Sequence, residues 1–176
     1  VALANVAPRE GRDGRVIAYI ADADEPTLHT VDLAGPTEIA TTPLVGRAEH
    51  VLVLGDGRVA ITLRASNALQ VLEPSVDEET ALETRCLVGT PVEPIALATT
   101  PDDRTLLVTT GWSHTLGAYD AETLAPKFEA SLPRDPRSAV VADDGTRAFV
   151  AHVVGARMSV VDLATPDHAV RSIDLS

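Results

Sequence analysis

Apolar and polar positions alternate along this chain in short runs, broken at regular places by turn residues. The clearest stretch is Ser138–Leu163, reading SAVVADDGTRAFVAHVVGARMSVVDL. An apolar run ends at Asp144-Gly145, an alternating run follows, and a third closes on Val161-Asp162-Leu163. Short runs with a period of two read as half-buried strands. Asp-Gly or its counterpart returns at Asp13-Gly14, Asp56-Gly57, Asp103-Arg104 and Asp144-Gly145, at intervals of 43, 47 and 41 residues. Asp-Gly between alternating runs signals a hairpin, because a type I′ turn asks for positive φ at both central residues. Arg104 departs from that rule and predicts a different turn there, helped by Pro101-Asp102.

The spacing predicts four units, approximately 1–44, 45–90, 91–133 and 134–176, each of four strands. The first unit reads Leu3–Ala7, Arg15–Ala21, Thr27–Leu33 and Glu38–Thr42. The second reads Glu49–Leu54, Arg58–Arg64, Ala68–Glu73 and Leu82–Val88. The third reads Ile95–Thr99, Thr105–Thr110, Thr115–Asp120 and Lys127–Ser131. The fourth reads Arg137–Ala142, Arg147–His152, Met158–Leu163 and Val170–Leu175. No segment carries a helical period, and the acidic stretch Pro74–Glu83 (Asp77, Glu78, Glu79) reads as a solvated loop. Four strands in a repeat of about 43 residues predict an all-β propeller of four-stranded antiparallel blades rather than a sandwich or barrel.

The phrase "Asp-Gly, apolar run, short loop, apolar run, Val-Asp-Leu" is complete in Asp144–Leu163. It is echoed in Asp103–Asp120, with its Ala118-Tyr119-Asp120 ending, and in Thr30–Leu33. With Pro94 and Pro136 opening their units, it resembles the YVTN-type β-propeller repeat over nearly the whole chain. The resemblance implies a bacterial or archaeal protein placed outside the cytoplasm, in the periplasm or at the cell surface. It also implies a ring of seven or so blades and a role in recognition or scaffolding. In some members it implies fusion to, or assembly with, cytochrome-type haem domains. The WD40 signature is absent, since the only tryptophan, Trp112, does not precede an aspartate.

Four blades fall short of such a ring. Each blade buries its faces only against neighbours, so an open array leaves two apolar faces in water. The chain is therefore expected to be part of a larger seven- or eight-bladed ring, to pair with a second copy, or to close alone. The first is favoured, with the missing blades on another segment of the same protein. A chain that begins at Val1 without methionine fits a processed form or a piece of something longer.

Composition narrows the picture. Hydrophobic residues make up 45% and charged ones 23%, the balance of a folded chain rather than a disordered one. A formal net charge of −12 repels phosphate backbones and argues against nucleic acid as a partner. No apolar run approaches the roughly 18 residues of a membrane span. Cys86 stands alone, excluding an internal disulfide, and reads as a small buried hydrophobe.

In a propeller, the loops leading into each first strand share one face with the loops joining second and third strands. That face would gather Arg47, Glu49 and His50 from the second unit, and Glu93, Trp112 and His114 from the third. Arg134, Arg137, His152 and Arg157 would come from the fourth. Polar loops on a rigid scaffold are where binding concentrates. His50 and His152 with Glu49 or Glu93 form a metal set only if their blades converge, and a strand-end histidine is more often structural. Asp22-Ala23-Asp24-Glu25 begins like a calcium loop, but Pro26 stands where a ligand belongs. Trp112-Ser113-His114 sets a hydroxyl beside an imidazole without a Gly-x-Ser-x-Gly elbow; Trp112 either packs on its blade or anchors a partner. Cys-x-x-Cys-His, Gly-x-Gly-x-x-Gly and Walker motifs are absent, so no cofactor is assigned to this chain.

The expectation is a non-catalytic propeller module presenting its loop face to a protein or small ligand. The alternative is a propeller subunit of a redox enzyme whose haem or metal lies on another segment.

Overall fold

The computed structural model describes residues 6–10, 16–22, 24–75 and 81–175. The Asp13-Gly14 turn, the acidic Asp77–Glu79 tip and most of the first expected strand lie outside them. Among the described residues the strands are β1 (Val6–Glu10), β2 (Val16–Ala21), β3 (Thr27–Asp32), β4 (Thr37–Pro43), β5 (His50–Val53), β6 (Val59–Leu63), β7 (Ala68–Pro74) and β8 (Leu82–Gly89). They continue as β9 (Pro94–Thr99), β10 (Thr105–Thr110), β11 (Thr115–Asp120), β12 (Pro126–Ser131), β13 (Pro136–Val141), β14 (Arg147–His152), β15 (Arg157–Asp162) and β16 (Val170–Asp174). One 3-10 turn, Arg64–Ser66, is the helical element among these residues. Strands pair with their sequence neighbours in four antiparallel four-stranded sheets, β1–β4, β5–β8, β9–β12 and β13–β16. The expected all-β architecture is what forms.

Two compact units divide the chain, one up to Gly89 and the other from Thr90. In the first, Tyr19, Leu28 and Leu44 pack with Val51, Ile61, Leu63 and Leu72 of the following sheet. In the second, Leu107, Leu116 and Ala118 pack with Ala139, Ala148, Val150 and Val161. There Phe128 stacks on His168, ring centroids 3.6 Å apart and planes 18° from parallel. Middle strands of the β5–β8 and β9–β12 sheets are buried on both faces: every residue of β6 is buried, as are Leu106–Thr110 of β10 and Thr115–Tyr119 of β11. Such strands read as continuous apolar runs. The outer strands β4, β8, β12 and β16 are largely exposed.

The turns between first and second strands correct the sequence reading twice. Gly57, Asp103 and Gly145 each donate their N–H to the carbonyl three residues back, on Leu54, Thr100 and Ala142. They hold φ of 87°, 54° and 71°. One left-handed residue closes each turn rather than the two of a type I′ turn, because a type I turn closed by a left-handed residue also joins strands with the right twist. The counterpart of Asp-Gly in the β9–β12 sheet is therefore Asp102-Asp103, one residue earlier than Asp103-Arg104. Asp102 Oδ1 accepts the Arg104 N–H at 3.1 Å just as Asp144 Oδ1 accepts that of Thr146 at 2.9 Å. In the β5–β8 sheet Asp56 also pairs with the buried Arg58, Nε to Oδ2 at 2.6 Å.

The aspartate that ends the repeat phrase has a job as well. Asp32, Asp120 and Asp162 close the third strands, and their Oδ1 atoms accept the N–H groups of Ala34, Thr123 and Ala164 at 2.8, 2.9 and 2.8 Å. A short acceptor side chain satisfies the turn's own amides, which is why aspartate stands there.

Candidate functional site

In the first unit the loop before β5 is held from below by Gln70. This fully buried side chain accepts the Val45 N–H at 3.1 Å and donates to Thr84 Oγ1 at 2.9 Å. Arg47 is exposed on that loop, and the Glu49 carboxylate lies 3.8 Å from Arg64. His50 opens β5, half-buried, and burial pushes its pKa below the ordinary 6.5, favouring the neutral ring. Asp22 Oδ1 accepts the Asp24 and Glu25 N–H groups at 2.7 and 3.2 Å. It closes its own hairpin tip rather than starting a calcium loop.

The second unit ties four loops at one end into a continuous network. Gly111 donates to the Glu93 carbonyl at 2.8 Å, and Val92 donates to Ser113 Oγ at 2.8 Å. Leu132 donates to the His114 carbonyl at 2.7 Å, and Val153 to that of Asp135 at 3.1 Å. Glu93, His114 and Asp135 hold φ of 68°, 56° and 54°, left-handed backbone in residues other than glycine. That geometry persists where surrounding bonds fix it. Trp112 rides on this frame with 74% of its surface exposed, so it does not pack on its own blade. On the same end stand Val92, Val153 and Val154, the last two 66% and 54% exposed.

The remaining candidates divide. Arg134 is exposed, while its carbonyl oxygen lies 2.9 Å from His152 Nδ1. His152 Nε2 lies 2.8 Å from the hydroxyl of buried Ser159. Arg137 is half-buried in β13. Arg157 pairs with Asp174 at 3.2 Å. His152 thus spends both nitrogens inside its own blade and serves as a structural bridge. Among the described residues no three His, Cys, Asp or Glu side chains gather as a metal-holding group. The Ser113 hydroxyl is engaged by Val92 rather than presented as a nucleophile. Cys86 is half-buried, its thiol pKa raised by that burial.

At the opposite end of the second unit a cleft of about 340 Å³ is lined by Thr100, Asp102, Thr105, Phe128, Asp144 and Leu163, among others. Asp102 and Asp144 are held below the ordinary carboxylate pKa, Asp102 first by the Thr100 hydroxyl and Asp144 first by the Thr146 N–H. These carboxylates serve their own turns.

The chain matches no family model and no curated protein. Solved structures do resemble it. A functionally unknown protein from Desulfotomaculum acetoxidans superposes with a TM-score of 0.79 at 16% identity, over 98% of this chain and 55% of that one. Hydrazine synthase from Kuenenia stuttgartiensis gives 0.78 at 15% identity, over 99% and 51%. The β-propeller domain of Cps50 (Swd1) from Myceliophteria thermophila gives 0.68 at 10% identity, over 88% and 52%. The fold is that of a β-propeller. The chain spans about half the length of the propeller-like structures it matches, and identities this low carry the fold alone.

Sequence reasoning singled out Trp112 and weighed Ser113 only as a nucleophile; it did not single out Val92, Val153 or Val154. The signal for the last two was present: Val153-Val154-Gly155 sets two β-branched apolar residues in a hairpin tip, where polar residues are usual. The bond that Ser113 makes gave no signal, because a serine bonded to a backbone amide looks like any loop serine.

Proposed function

We propose that this chain is a non-catalytic β-propeller binding module that presents the loop end around Trp112 to a protein partner. The observation that carries the reading is the exposed indole on a hairpin tip whose backbone is fixed on both sides. A large apolar anchor on a rigid loop keeps little entropy to lose on binding, and tryptophan is enriched at interface hot spots. Val153 and Val154 extend the apolar contact, and Arg134 and Arg137 supply charge at its margin. A small ligand on the same end is the narrower version of this reading. A location outside the cytoplasm is part of it, on the strength of the repeat resemblance.

The test is capture of partners from a native extract by the wild-type chain and by a Trp112→Ala/Val154→Asp/Arg134→Ala variant shown to melt normally. Partners held by the wild type and lost by the variant support the reading. Partners held equally by both place binding elsewhere.

A second reading makes the chain the propeller part of a redox assembly. The cytochrome association implied by the repeat resemblance supports it, as does the shared fold with a chain named hydrazine synthase. Visible absorbance and metal content of the assembly purified from its source decide it: a haem band supports this reading, and a colourless, metal-free assembly removes it.

A further inference from the structure

The ladder pairings set the blades in register. Thr105↔Asp120 and Arg147↔Asp162 are equivalent closing pairs, so Leu107 corresponds to Phe149, Leu116 to Met158 and Ala118 to Val160. By the same ladders Ala98 corresponds to Val140, and Phe128 to Arg171. The first member of each pair lies on the face of the β9–β12 blade that packs against β13–β16. The second lies on the face of β13–β16 turned the other way, because Ala148, Val150 and Val161 already point into the core. Among the described residues no other sheet of the second unit packs on this face; Val140 on it is 61% exposed, while Val160 in its middle is 8% exposed.

What covers the equivalent face inside the unit is a small aliphatic surface that includes Ala148, Val150 and Val161. The β1–β4 blade repeats it. Ala18↔Val31 sits one step in from Ile17↔Asp32, as Ala148↔Val161 sits one step in from Arg147↔Asp162, and Ile20 takes the place of Val150. Ala18, Ile20 and Val31 point away from the core side of that blade, which holds Ile17, Tyr19 and Ala21.

The polar positions change together. In the internal junction Phe128 stacks on His168, just before Val170 opens the outer strand. On the uncovered face Phe128 is replaced by the exposed Arg171, and on β1–β4 Val170 is replaced by the exposed Glu38. Two apolar positions on facing sheets are thus matched by opposite charges, one on each face. His29 lies beside Glu38, its Nδ1 3.2 Å from the carboxylate. Beside Arg171 a cleft of about 340 Å³ is also lined by Arg147, Val160 and Asp162. In the internal junction the equivalent Thr105 and Phe128 line the cleft beside the Asp143–Gly145 turn of the next blade.

We propose that the β13–β16 face seats the β1–β4 blade of a second copy of this chain, with Arg171 of one copy against Glu38 of the other. The propeller-like structures it matches are about twice as long, the length that a second copy adds. Such an apolar junction rimmed by one ion pair takes its affinity from the aliphatic face and its register from the charges.

The test is the solution mass of the 176-residue chain by light scattering over a wide range of concentration. A species of twice the 18.5 kDa chain mass is expected. Arg171→Glu and Glu38→Arg, both at exposed positions, should each weaken association about tenfold or more, since like charges then face each other. The double swap Glu38→Arg/Arg171→Glu should recover the wild-type affinity, a result that damage to folding cannot produce. Val140→Asp should abolish association. A wild-type chain that stays at single mass throughout overturns the proposal. So does a double swap that fails to recover, or a dimer indifferent to Val140→Asp.

Discussion

His152 joins two segments of the last blade: its Nδ1 lies 2.9 Å from the carbonyl oxygen of Arg134, while its Nε2 lies 2.8 Å from Ser159 Oγ. A carbonyl only accepts, so Nδ1 carries the proton. In the neutral ring Nε2 then accepts from the Ser159 hydroxyl. His152→Ala leaves that buried hydroxyl without its acceptor and frees the loop that carries Arg134. The expected cost is about 1–3 kcal/mol, a fall in Tm of about 2–4 °C per kcal/mol for a chain of this size. Ser159→Ala in the same chain should return part of it, because removing both partners is milder than orphaning one. Thermal melts of the three variants check this; a double variant no more stable than His152→Ala contradicts it.

The only tryptophan makes the candidate face its own reporter. With 74% of Trp112 exposed, the emission of the free chain should lie at the long wavelengths of a hydrated indole and quench readily with iodide. Binding of a partner at this end should shift the emission to shorter wavelength and protect it. Resistance to iodide in the free chain would contradict the exposed tip.

His50 gives a pH dependence with a definite sign. Burial lowers its folded pKa below the ordinary 6.5, so the unfolded chain binds more protons near that pH. The contribution is fully present at neutral pH and is lost as pH falls below 6.5 towards the lowered folded value. His50→Gln should flatten the decline of stability between neutral pH and about pH 5. Urea unfolding at several pH values checks it; parallel declines in the two chains would assign the titration elsewhere.

The architecture was legible in the sequence because hairpin signals recur at nearly constant spacing and the phrase ending in aspartate is locally enforced. Asp120 and Asp162 bond amides two or three residues away, so their role lies in the short-range code. The turn register was misread by one residue because Asp103 does what glycine does in the neighbouring blades, and aspartate tolerates left-handed backbone without announcing it. The bracing roles of Gln70 and Ser113 were invisible for a different reason. Their partners Val45 and Val92 lie 25 and 21 residues away. Only the packing of blade against loop brings them together. Trp112 was visible as a rare residue, but whether it packed or protruded was decided by the tip's hydrogen bonds.

Gly145 and Asp103 allow the turn reading to be tested in both directions. Gly145 holds φ of 71°, and a Cβ there would meet Pro101 at 3.6 Å, an ordinary contact. Gly145→Ala should therefore cost only the left-handed penalty of roughly 1–2 kcal/mol, with no clash added. Asp103→Gly removes that penalty but also the constraint on the unfolded chain. It should change stability by less than Gly145→Ala and with the opposite sign or none. Chemical denaturation of the two variants checks the ordering; an Asp103→Gly loss larger than that of Gly145→Ala would mean the Asp103 side chain has a role of its own.

Asp120 carries a large carboxylate perturbation, and its cause is geometric. The Thr123 N–H and hydroxyl both reach Oδ1 at 2.9 Å, and the Glu122 N–H lies at 3.2 Å. Bonds to the ionised form, led by the Thr123 N–H, lower its pKa from 3.8 to about 2. Lys127 Nζ adds a cation 3.4 Å from Oδ2. The folded value lies below the unfolded one, so the contribution is present above 3.8 and is lost as pH falls through about 2. Asp120→Asn keeps an acceptor for the turn but cannot ionise. Its deficit relative to the wild type should be constant at neutral pH and shrink as pH approaches 2. A carboxyl titration followed by NMR should place the Asp120 midpoint near 2; a midpoint at 3.8 would show that the Thr123 bonds do not persist in solution, and the physical account of the aspartate that ends each repeat phrase would go with them.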